Sequence, residues 1–593
     1  MPREILVTCA LPYANGPIHV GHMVEHVQGD IWVRALRMAG HTVHFVCADD
    51  AHGTSIMLRA EREGITPKEL IDGVWQQHTA DLRDFGVRYD HYSSTDSATN
   101  RELTYQIWRA LERGGHVESR SVKQLYDPVK EMFLPDRFVK GECPVCHSKD
   151  QYGDACEVCG STYTPMDLIE PYSVVSGAKP VEKESLHFFV KLADFEELLQ
   201  GWLEERRAAG GLQSEVVNKL QEWFADGLRS WDVSRDAPYF GFEIPDQPGK
   251  YFYVWVDAPV GYLAAFKELC ESGHGALTPA DFERFTRIDA DDTELVHFIG
   301  KDIIYFHTLF WPAMLHGAKL RMPTAVNVHG FLTVDGAKMS KSRGTFINAR
   351  TWLDHLDADY LRYYLASMLG PTLTDIDLDL KAFEERVNSH LVGKYINIAS
   401  RCASILSKEF GNRLCKTTLQ QTIPDEAVLQ DTLIQDLVEN TKRIQLHYES
   451  RRFDWAISNI VGMADQVNEY LQGQAPWKSV KAAETRYSAH HACSVGIEAF
   501  RILTIFLKPV IPALAARAEQ FLGVSSSCWS DIQNHLPAGH VLSEYKHLAT
   551  RVERQRIEAM IEASKESLQP SAAKQPPSPP NPLEGEGSKA RTS

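Results

Sequence analysis

Long hydrophobic runs are absent from this 593-residue sequence: none reaches the roughly 18 residues that would cross a membrane. The best candidate, near Ile502–Ala513, is broken by Arg501 and Lys508. The first residues, MPREILVTC, lack the basic region and cleavage site of a signal peptide. We therefore expect no membrane association and a cytoplasmic location.

A disulfide framework and an excess of positive charge are also missing. Seven of the 11 cysteines are scattered singly, which suits a reducing compartment. The net charge of −17 argues against indiscriminate nucleic-acid binding. Residues 381–593 carry 25 Lys and Arg against 23 Asp and Glu, so residues 1–380 hold an excess of −19. Any nucleic-acid partner should therefore be held by the C-terminal half, although compositional drift is the alternative.

The stretch Leu11–His22, LPYANGPIHVGH, joins an apolar strand over 5–10 to a helix-period pattern. A strand, a tight Gly/Pro turn and a helix start together present free backbone N–H groups to phosphate. His19 and His22 can donate to phosphate oxygens, and Gly21 between them lets a flat base approach the backbone. A helix start with two solvated histidines is the alternative.

More buried strands are predicted after this opening, and ligands bind at the carboxyl ends of such strands. The second, over 42–48, ends in Asp49 and Asp50, and Asp50 could pair with a cationic substrate group. A helix cap is the alternative role for one of these two acids. Further strands are predicted over 251–259, 294–299 and 324–329. The pattern indicates a nucleotide-binding α/β domain that is split by an insertion.

Two CxxC knuckles lie in that insertion. The first knuckle is Cys143 with Cys146 and the second is Cys156 with Cys159, with nine residues between them. Four thiolates at this spacing can close a tetrahedral zinc site with no position open for water. We therefore predict one structural Zn²⁺. The sequence from Cys143 to His147 also fits the haem c attachment pattern, but that pattern requires export and leaves the second knuckle unexplained.

The stretch 338–342, KMSKS, follows the last predicted strand and is flanked by glycines. Lys338 and Lys341 make a cationic loop suited to gripping a polyphosphate, whereas a solvated basic turn is the alternative. We expect two cationic patches, the imidazoles and these lysines, to meet over a nucleotide triphosphate.

The C-terminal half has long apolar helical periodicity, which predicts an all-α bundle. A polar helix is predicted over Tyr545–Leu568. It precedes a tail with six prolines between Gln569 and Pro582, which we expect to be disordered. The predicted bundle helices cover 380–411, 426–449, 453–473 and 478–507.

These motifs together resemble the class I aminoacyl-tRNA synthetases and, among them, the methionyl-tRNA synthetase family with paired zinc knuckles. The resemblance covers residues 5–477. The matching segments are LPYANGPIHVGHM, FVCADDAHGT, the two knuckles, YFYVWVDAP, HFIGKDIIYFH, HGFLTVDGAKMSKSRGT and QAPW.

The resemblance implies a methionine–tRNA ligase that converts ATP to AMP and diphosphate. L-Methionine and Mg-ATP would give methionyl-adenylate, and the methionyl group would pass to the 3′-terminal adenosine of tRNA(Met), for initiation and elongation. A carboxylate is already a nucleophile, so the site must supply alignment and charge stabilisation. The implied catalytic residues are His19, His22, Lys338 and Lys341, and the implied ATP-binding residues are Gly21, Gly300, Asp302, Lys338 and Lys341.

An amino-acid pocket is also implied, in which Asp50 faces the ammonium group and the Tyr262 hydroxyl is suited to hydrogen-bond the sulfur. Aromatic walls suit a polarisable thioether. Several of these aromatics, Trp255 and Trp311 among them, would otherwise be taken as core. The implied methionine-binding residues are Leu11, Tyr13, Asp50, Trp255, Ala258, Pro259, Tyr262, Ile303, His307 and Trp311.

Asn397 and Arg401, four apart on one helix face, and Trp477 after Pro476 carry over as residues that read the anticodon, with the tryptophan stacking on a base. A buried bundle tryptophan is the alternative. The chain lacks the C-terminal OB-fold module through which many relatives dimerise, so we expect a monomer.

Other functions remain as alternatives. The leucine, isoleucine and valine enzymes carry a larger editing insertion, and a cysteine-specific enzyme would place zinc ligands in the amino-acid pocket. A small-molecule nucleotidyltransferase would not need the bundle, and a non-catalytic zinc-containing tRNA-binding protein would not need the two motifs.

The expected fold class is α/β plus all-α, a split Rossmann-type parallel-sheet catalytic domain with a zinc-knuckle insertion and a helical-bundle anticodon-binding domain. The predicted boundaries are 1–97 and 237–330 for the catalytic domain, 98–236 for the insertion with its knuckle at 143–159, 331–380 for the KMSKS linker region, 381–545 for the bundle and 546–593 for the terminal helix and tail.

Overall fold

The N-terminal half of the computed structural model is built around a five-stranded sheet. Every neighbouring pair of its strands is parallel. The structure describes residues 2–339, 345–415 and 426–566, and for 426–431 and 566 the backbone alone. Strand side chains are buried on both faces, which explains their apolar sequences. In spatial order the strands are Ala325–His329, Glu294–Gly300, Glu4–Cys9, Thr42–Asp49 and His91–Ser94.

The strand order changes direction between Glu4–Cys9 and Glu294–Gly300, which are neighbours in space although 284 residues separate them in sequence. Ligands of such sheets bind outside the carboxyl ends of the strands at this reversal. The segment 11–22, hereafter the signature loop, leaves the sheet at this point. The fold therefore directs that loop and Gly300 to one crevice.

Helices cover the sheet, and some of their ends are encoded locally. The helix Pro67–Asp84 begins with a capping box, in which the Thr66 hydroxyl accepts from the Glu69 N–H at 3.2 Å and the Glu69 carboxylate accepts from the Thr66 N–H at 2.8 Å. The helices of this part are Met23–Met38, Thr54–Glu63, Pro67–Asp84, Ala98–Arg113, Val254–Asp257, Val260–Glu271, Pro279–Thr286 and Trp311–Gly317, the last preceded by a π-helical turn at Phe306–Phe310.

Between the third and fourth strands of the chain, the inserted part adds two small antiparallel sheets and, beyond the helices given above, Glu196–Ala208 and Ser214–Ala225; a two-stranded ribbon, Ser234–Asp236 with Lys250–Phe252, follows them. The helix Ala98–Arg113, which begins it, packs against Val260–Glu271 beside the central sheet. The predicted domain boundaries stay predictions. One sheet has the strands Trp231–Asp232, Val181–Val190, Val117–Asp127 and Met132–Phe133, and the other has Gln151–Tyr152, Val139–Glu142 and Ile169–Ser173.

The C-terminal half is helical after a three-stranded sheet formed by Leu332–Val334, Ala337–Lys338 and Ile376–Leu378. No helix among the described residues is both long and apolar enough to cross a membrane. In the C-terminal half, Leu380–Arg386 continues through the π-helical segment Val387–Ile396 into the helix Asn397–Phe410. The other helices of this half are Ala349–His355, Ala358–Ala366, Glu426–Glu439, Thr441–Glu449, Phe453–Gln474, Pro476–Ser479, Arg486–Leu507, Pro512–Leu522 and Arg554–Glu566.

Three predicted elements differ from the structure. The strand predicted over 251–259 is wrong beyond Phe252, because Val254–Asp257 is a helical turn that places Val256 in the core and Asp257 in a buried ion pair. The helix predicted over 478–507 begins only at Arg486.

The polar helix predicted from Tyr545 begins at Arg554. Residues 545–553 instead run along the bundle, where the Thr550 carbonyl accepts from the Tyr360 hydroxyl at 2.6 Å and Val552 exchanges two hydrogen bonds with Asn388. Tertiary contacts therefore replaced a local helical preference. The proline-rich tail lies outside the described residues.

A buried ion pair joins the α/β and helical parts. The guanidinium of Arg362 lies 2.6 Å from the Asp30 carboxylate, and both side chains are at most 1% exposed. Arg362 also donates to the carbonyls of Val510 and Pro509, at 2.8 and 3.1 Å. One core, from Ile5 to Met560, surrounds this contact.

We expect Arg362→Met to lower the free energy of unfolding by about 3–5 kcal/mol, because it leaves two carbonyls and part of a buried carboxylate without a donor. Thermal and urea unfolding measure this change. Arg59→Met, which removes a surface pair with Glu63 at 2.7 Å, is the matched control and should change stability by less than about 1 kcal/mol. Equal effects of the two substitutions would contradict the assignment.

Candidate active site

The two sequence motifs meet on one side of the sheet. The Val20 N–H donates to the Ile347 carbonyl at 2.9 Å, and the Ala349 N–H donates to the Ile18 carbonyl at 2.8 Å. Met339, inside the lysine motif, lies over Gly21, where an added Cβ would stand 2.6 Å from the Met339 Cε. A side chain at position 21 would therefore displace this contact. Lys338 is exposed beside it, and Lys341 lies outside the described residues.

His19 and His22 stack with their ring centroids 3.7 Å apart. The Nδ1 of His19 accepts from the Gly21 N–H, at 3.1 Å, which leaves its Nε2 free to carry the proton. Burial lowers the pKa of His19 to about 4 and that of His22 well below its ordinary value. Both rings are thus neutral hydrogen-bond donors in this structure, and the expectation of a cationic patch here was wrong.

Gly300 and Asp302 lie across the crevice from the signature loop. A Cβ on Gly300 would stand 2.6 Å from a carboxylate oxygen of the exposed Asp302, so a side chain at position 300 would force that carboxylate to turn away. Sequence reasoning missed two buried neighbours, Glu25 and His329, which lie 3.5 Å apart. Burial raises the pKa of Glu25 to about 7, while His329 counteracts that rise.

An aromatic cavity opens next to this crevice, and Asp50 lies in its wall. Asp50 is 7% exposed, and its Oδ1 has no hydrogen-bond partner among the residues that the structure describes. Burial, with Asp257 nearby, raises the pKa of Asp50 well above its ordinary value. A carboxyl group in this setting is ionised more readily when a cation pairs with it.

Nine of the ten predicted pocket residues line this cavity. Tyr13 does not: it pairs with Asp50 through the backbone and lines a neighbouring polar cavity with Tyr239 and Tyr253. The predicted residues that the structure brings together are Leu11, Asp50, Trp255, Ala258, Pro259, Tyr262, Ile303, His307 and Trp311, and sequence reasoning missed Phe306, Phe310 and Met314.

Hydrogen bonds fix the two polar groups of the cavity. The Nδ1–H of His307 donates to the Ile303 carbonyl at 3.1 Å, so its Nε2 accepts from the Tyr262 hydroxyl at 2.9 Å. Burial lowers the pKa of His307 to about 4, which agrees with this neutral tautomer. The hydroxyl proton of Tyr262 therefore points to His307, and a bond to another acceptor requires it to turn.

Two histidines that sequence reasoning missed support the cavity from behind. The Trp311 indole donates to the His297 Nε2 at 3.2 Å, which orients this wall of the cavity. His52 lies 2.6 Å from an Asp257 oxygen and 3.4 Å from Asp96. Burial opposes the charge on His52, but these carboxylates raise its pKa to about 9. Both lie in segments that carry the family resemblance, FVCADDAHGT and HFIGKDIIYFH, but the spacing within these segments does not reveal their roles, since their partners are distant in sequence.

The four clustered cysteines form a site that can hold a metal ion. Their sulfur atoms all lie within 4.8 Å of one another, with Cys143 and Cys159 at 3.9 Å and Cys146 and Cys156 at 3.5 Å. A tetrahedral zinc ion with Zn–S bonds of about 2.3 Å separates its sulfurs by roughly 3.8 Å, so the donor set fits. The fold confirms that the knuckles meet.

The three bundle residues also come together, across two helices and a turn. The Arg401 guanidinium lies 4.2 Å from the ring centroid of Trp477, and its Nη2 donates to Gln472 at 3.1 Å. Asn397 donates to Asn468 at 3.3 Å. Trp477 is partly exposed rather than buried in the bundle. One face of the indole is covered by arginine, and sequence reasoning missed the two supporting amides.

Comparison with known proteins agrees with this geometry. Residues 5–403 match the family model "tRNA synthetases class I (M)", and residues 424–563 match "Anticodon binding domain of methionyl tRNA ligase". The chain belongs to the methionyl-tRNA synthetase family. It is a methionine–tRNA ligase, as the motifs predicted. The fold class and family expected from the sequence are both confirmed.

The relatives cover nearly the whole chain. The methionine–tRNA ligase of Burkholderia cenocepacia is 52% identical over 578 residues, which are 96% of this chain and 78% of the relative. That of Azoarcus sp. is 52% identical over 97% of this chain and 79% of its own. A Mycobacterium tuberculosis methionyl-tRNA synthetase, solved in complex with methionyl-adenylate, matches with a TM-score of 0.73 and 22% identity over 92% of this chain and 99% of its own. At that identity the solved structure shows the fold alone.

We expect Cys146→Ser to lower the metal content of the purified chain from one ion to less than about 0.3 per chain, because three thiolates do not close the site. Elemental analysis measures zinc directly, and protease digestion reports on the inserted part. Cys270→Ser, at a buried cysteine outside the cluster, is the control and should keep the metal. Full retention in Cys146→Ser would contradict the assignment.

Proposed function

We propose that this methionine–tRNA ligase works in two steps through an enzyme-bound methionyl-adenylate. L-Methionine and ATP first give the adenylate and diphosphate, and tRNA(Met) then takes the methionyl group on its 3′-terminal adenosine with release of AMP, for initiation and elongation. The main supporting observation is that Asp50 lies in an aromatic cavity beside the crevice where Gly21 meets Met339. Asp50 is buried, and one of its carboxylate oxygens has no partner among the described residues.

In the first step a methionine carboxylate oxygen bonds to the α-phosphorus as the bond to the β-phosphate oxygen breaks. No proton has to be removed from the nucleophile, so alignment and phosphate charge decide the rate. We assign His19 and His22 as neutral donors to phosphate, and Lys338 and Lys341 to the leaving diphosphate. Mg²⁺ bound with ATP would offset phosphate charge.

The rest of the nucleotide has partners of suitable chemistry. Asp302 and the Gly300 backbone can hold the ribose hydroxyls. We assign the flat backbone at Gly21 to the base, which would have to displace the Met339 side chain that covers Gly21 here. Glu25, whose pKa is about 7, lies 3.5 Å from His329, and both are buried neighbours of Gly300 and Asp302. Its position supports an additional role in hydrogen bonding the ribose.

For methionine we assign Asp50 to the ammonium group and the aromatic wall to the side chain. Sulfur contacts with aromatic rings contribute about 0.3–1.5 kcal/mol each. When the Tyr262 proton turns from His307, the hydroxyl can donate to the thioether. An aliphatic competitor offers no acceptor for that proton, so its binding is weaker.

We assign zinc to the four cysteines as a structural ion, because a Cys₄ set has no position left for substrate. We also assign Asn397, Arg401 and Trp477 to the anticodon. The exposed face of the indole can stack on a base, while Arg401 supports the opposite face.

Exchange of labelled pyrophosphate into ATP tests the first step. Exchange should depend on L-methionine, and leucine, isoleucine and cysteine should each support it at least 100-fold less well in kcat/KM. Equal exchange with leucine or isoleucine would overturn the assignment of the cavity. Exchange without any amino acid would overturn the mechanism.

We expect Lys341→Ala to slow pyrophosphate exchange at least 100-fold, because a cation beside the leaving diphosphate is lost. The KM for methionine should change less than threefold, since the residue does not belong to the methionine pocket. Lys481→Ala, in the bundle, is the charge-matched control. Near-normal exchange by Lys341→Ala would count against the assigned role.

We expect Trp477→Ala to lower kcat/KM for tRNA charging at least tenfold and to leave pyrophosphate exchange within twofold, because the indole contacts an anticodon base but no small substrate. Trp455→Ala removes another exposed tryptophan of the bundle, 51% exposed, and is the matched control. Loss of both reactions in Trp477→Ala would show a structural role.

A further inference from the structure

The helix Pro67–Asp84 carries a face of side chains that none of the roles above uses. Ile71, Val74, His78 and Asp81 are three or four residues apart and so lie on one side of the helix. All four are at most 6% exposed. This face follows the signature loop along its length.

The first turns of this face contact the beginning of the loop. Leu70, Ile71 and Val74 form a small core with Ala14, which is fully buried. The Ala14 N–H donates to the Asp50 carbonyl at 2.8 Å, and the Asp50 N–H donates to the Pro12 carbonyl at 2.9 Å, so the same part of the loop is held to the end of the second strand. Apolar packing thus fixes the loop where it passes the amino-acid cavity.

His78 bridges the middle of the loop to the sheet. Its Nε2 lies 2.7 Å from the Gly16 carbonyl and its Nδ1 lies 2.8 Å from the Asp49 carboxylate, which also accepts from the Tyr92 hydroxyl. Both partners are acceptors, so both ring nitrogens donate and the ring is an imidazolium. Burial is the largest single influence and lowers the pKa of His78, but the carboxylates of Asp49 and Asp81 and the Gly16 carbonyl together raise it above its ordinary value.

One helical turn after His78, Asp81 binds the segment that follows the lysine motif. It is fully buried and lies 2.6 Å from the Arg350 guanidinium, which also pairs with Asp84 at 2.9 Å. Arg350 follows directly after 347–349, the segment whose backbone pairs with Ile18 and Val20 of the signature loop. The signature loop and the segment 345–350, which pair with each other, are therefore both attached to a single helix.

We propose that this helix is a positioning element for adenylate formation, in which His78 fixes the signature loop at Gly16 and Asp81 fixes the segment 345–350 through Arg350. His78 and Asp81 touch no substrate and act through these two segments.

Through Asp49, the His78 bridge also connects the signature loop to the residue assigned to methionine. Asp49 precedes Asp50, the residue assigned to the methionine ammonium group, so the His78 bridge relates the phosphate side of the site to the amino-acid side. Attack on the α-phosphorus needs both reactants held within a few tenths of an ångström, and a misplacement of about 1 Å can cost roughly 100-fold in rate. The backbone contacts at 18–20 and 347–349 hold the two segments to each other, and the helix holds that pair to the sheet.

The inference rests on the proposed adenylation step and is tested by substitutions at its two attachment points. His78→Gln cannot donate in two opposite directions, and Arg350→Gln breaks the pair with Asp81. For each variant, pyrophosphate exchange gives kcat and the KM for methionine and for ATP. Thermal unfolding checks that the variant is folded, and kcat is expressed per folded protein. We expect kcat to fall at least tenfold in both, with the KM for methionine within twofold of wild type, because the cavity wall lies on other elements.

Two further variants separate positioning from stability. Arg350→Lys keeps the charge and should recover most of the loss, remaining within about threefold of wild type in kcat. Arg83→Gln removes an exposed arginine that pairs with Asp84 at 3.0 Å but does not contact the segment 345–350, and its kcat should stay within twofold. If His78→Gln does not fold, the exposed Arg350 series decides.

A kcat within twofold of wild type in folded His78→Gln and Arg350→Gln would overturn the inference. A rise in the KM for methionine as large as the fall in kcat would also overturn it, because that pattern indicates damage to the cavity. Failure of the wild-type chain to exchange pyrophosphate with methionine would instead contradict the proposed function.

Discussion

The backbone contact between the signature loop and the segment 347–349 is the interaction on which the site depends. Two hydrogen bonds, from Val20 to Ile347 and from Ala349 to Ile18, join stretches that lie more than 320 residues apart in sequence. They bring Met339 over Gly21 and so place the lysine motif at the carboxyl ends of the strands. Without this contact the two motifs would be separate loops.

Burial of ionisable groups is the second feature of the site. Asp50 and Glu25 have raised pKa values, while His19, His22 and His307 have lowered ones, and burial is the first cause in each case. A protein pays for such groups in stability unless a ligand completes their hydrogen bonds. Among these five groups, Asp50 has a carboxylate oxygen with no hydrogen-bond partner in the described part of the chain, so a cationic ligand would complete its hydrogen bonds.

The roles of the supporting residues could not be assigned from the sequence, because their partners come from distant segments. His297 orients Trp311, and His52 pairs with Asp257, yet each is a single histidine in or after an apolar strand. His78 reads as one more residue of an amphipathic helix. Its two acceptors, at Gly16 and Asp49, become neighbours only when the sheet and the loop are assembled.

The sequence by itself determined the family, the strand–loop–helix opening, the cysteine cluster and, through the family resemblance, nine residues that line the cavity, because these depend on local spacing and on recognisable motifs. Only the tertiary structure decided where the strand after Lys250 ends, why residues 545–553 are not helical, and that the two stacked histidines are neutral. Each of these is set by burial and by contacts with remote segments. Local propensity is worth well under 1 kcal/mol per residue, and such contacts exceed it.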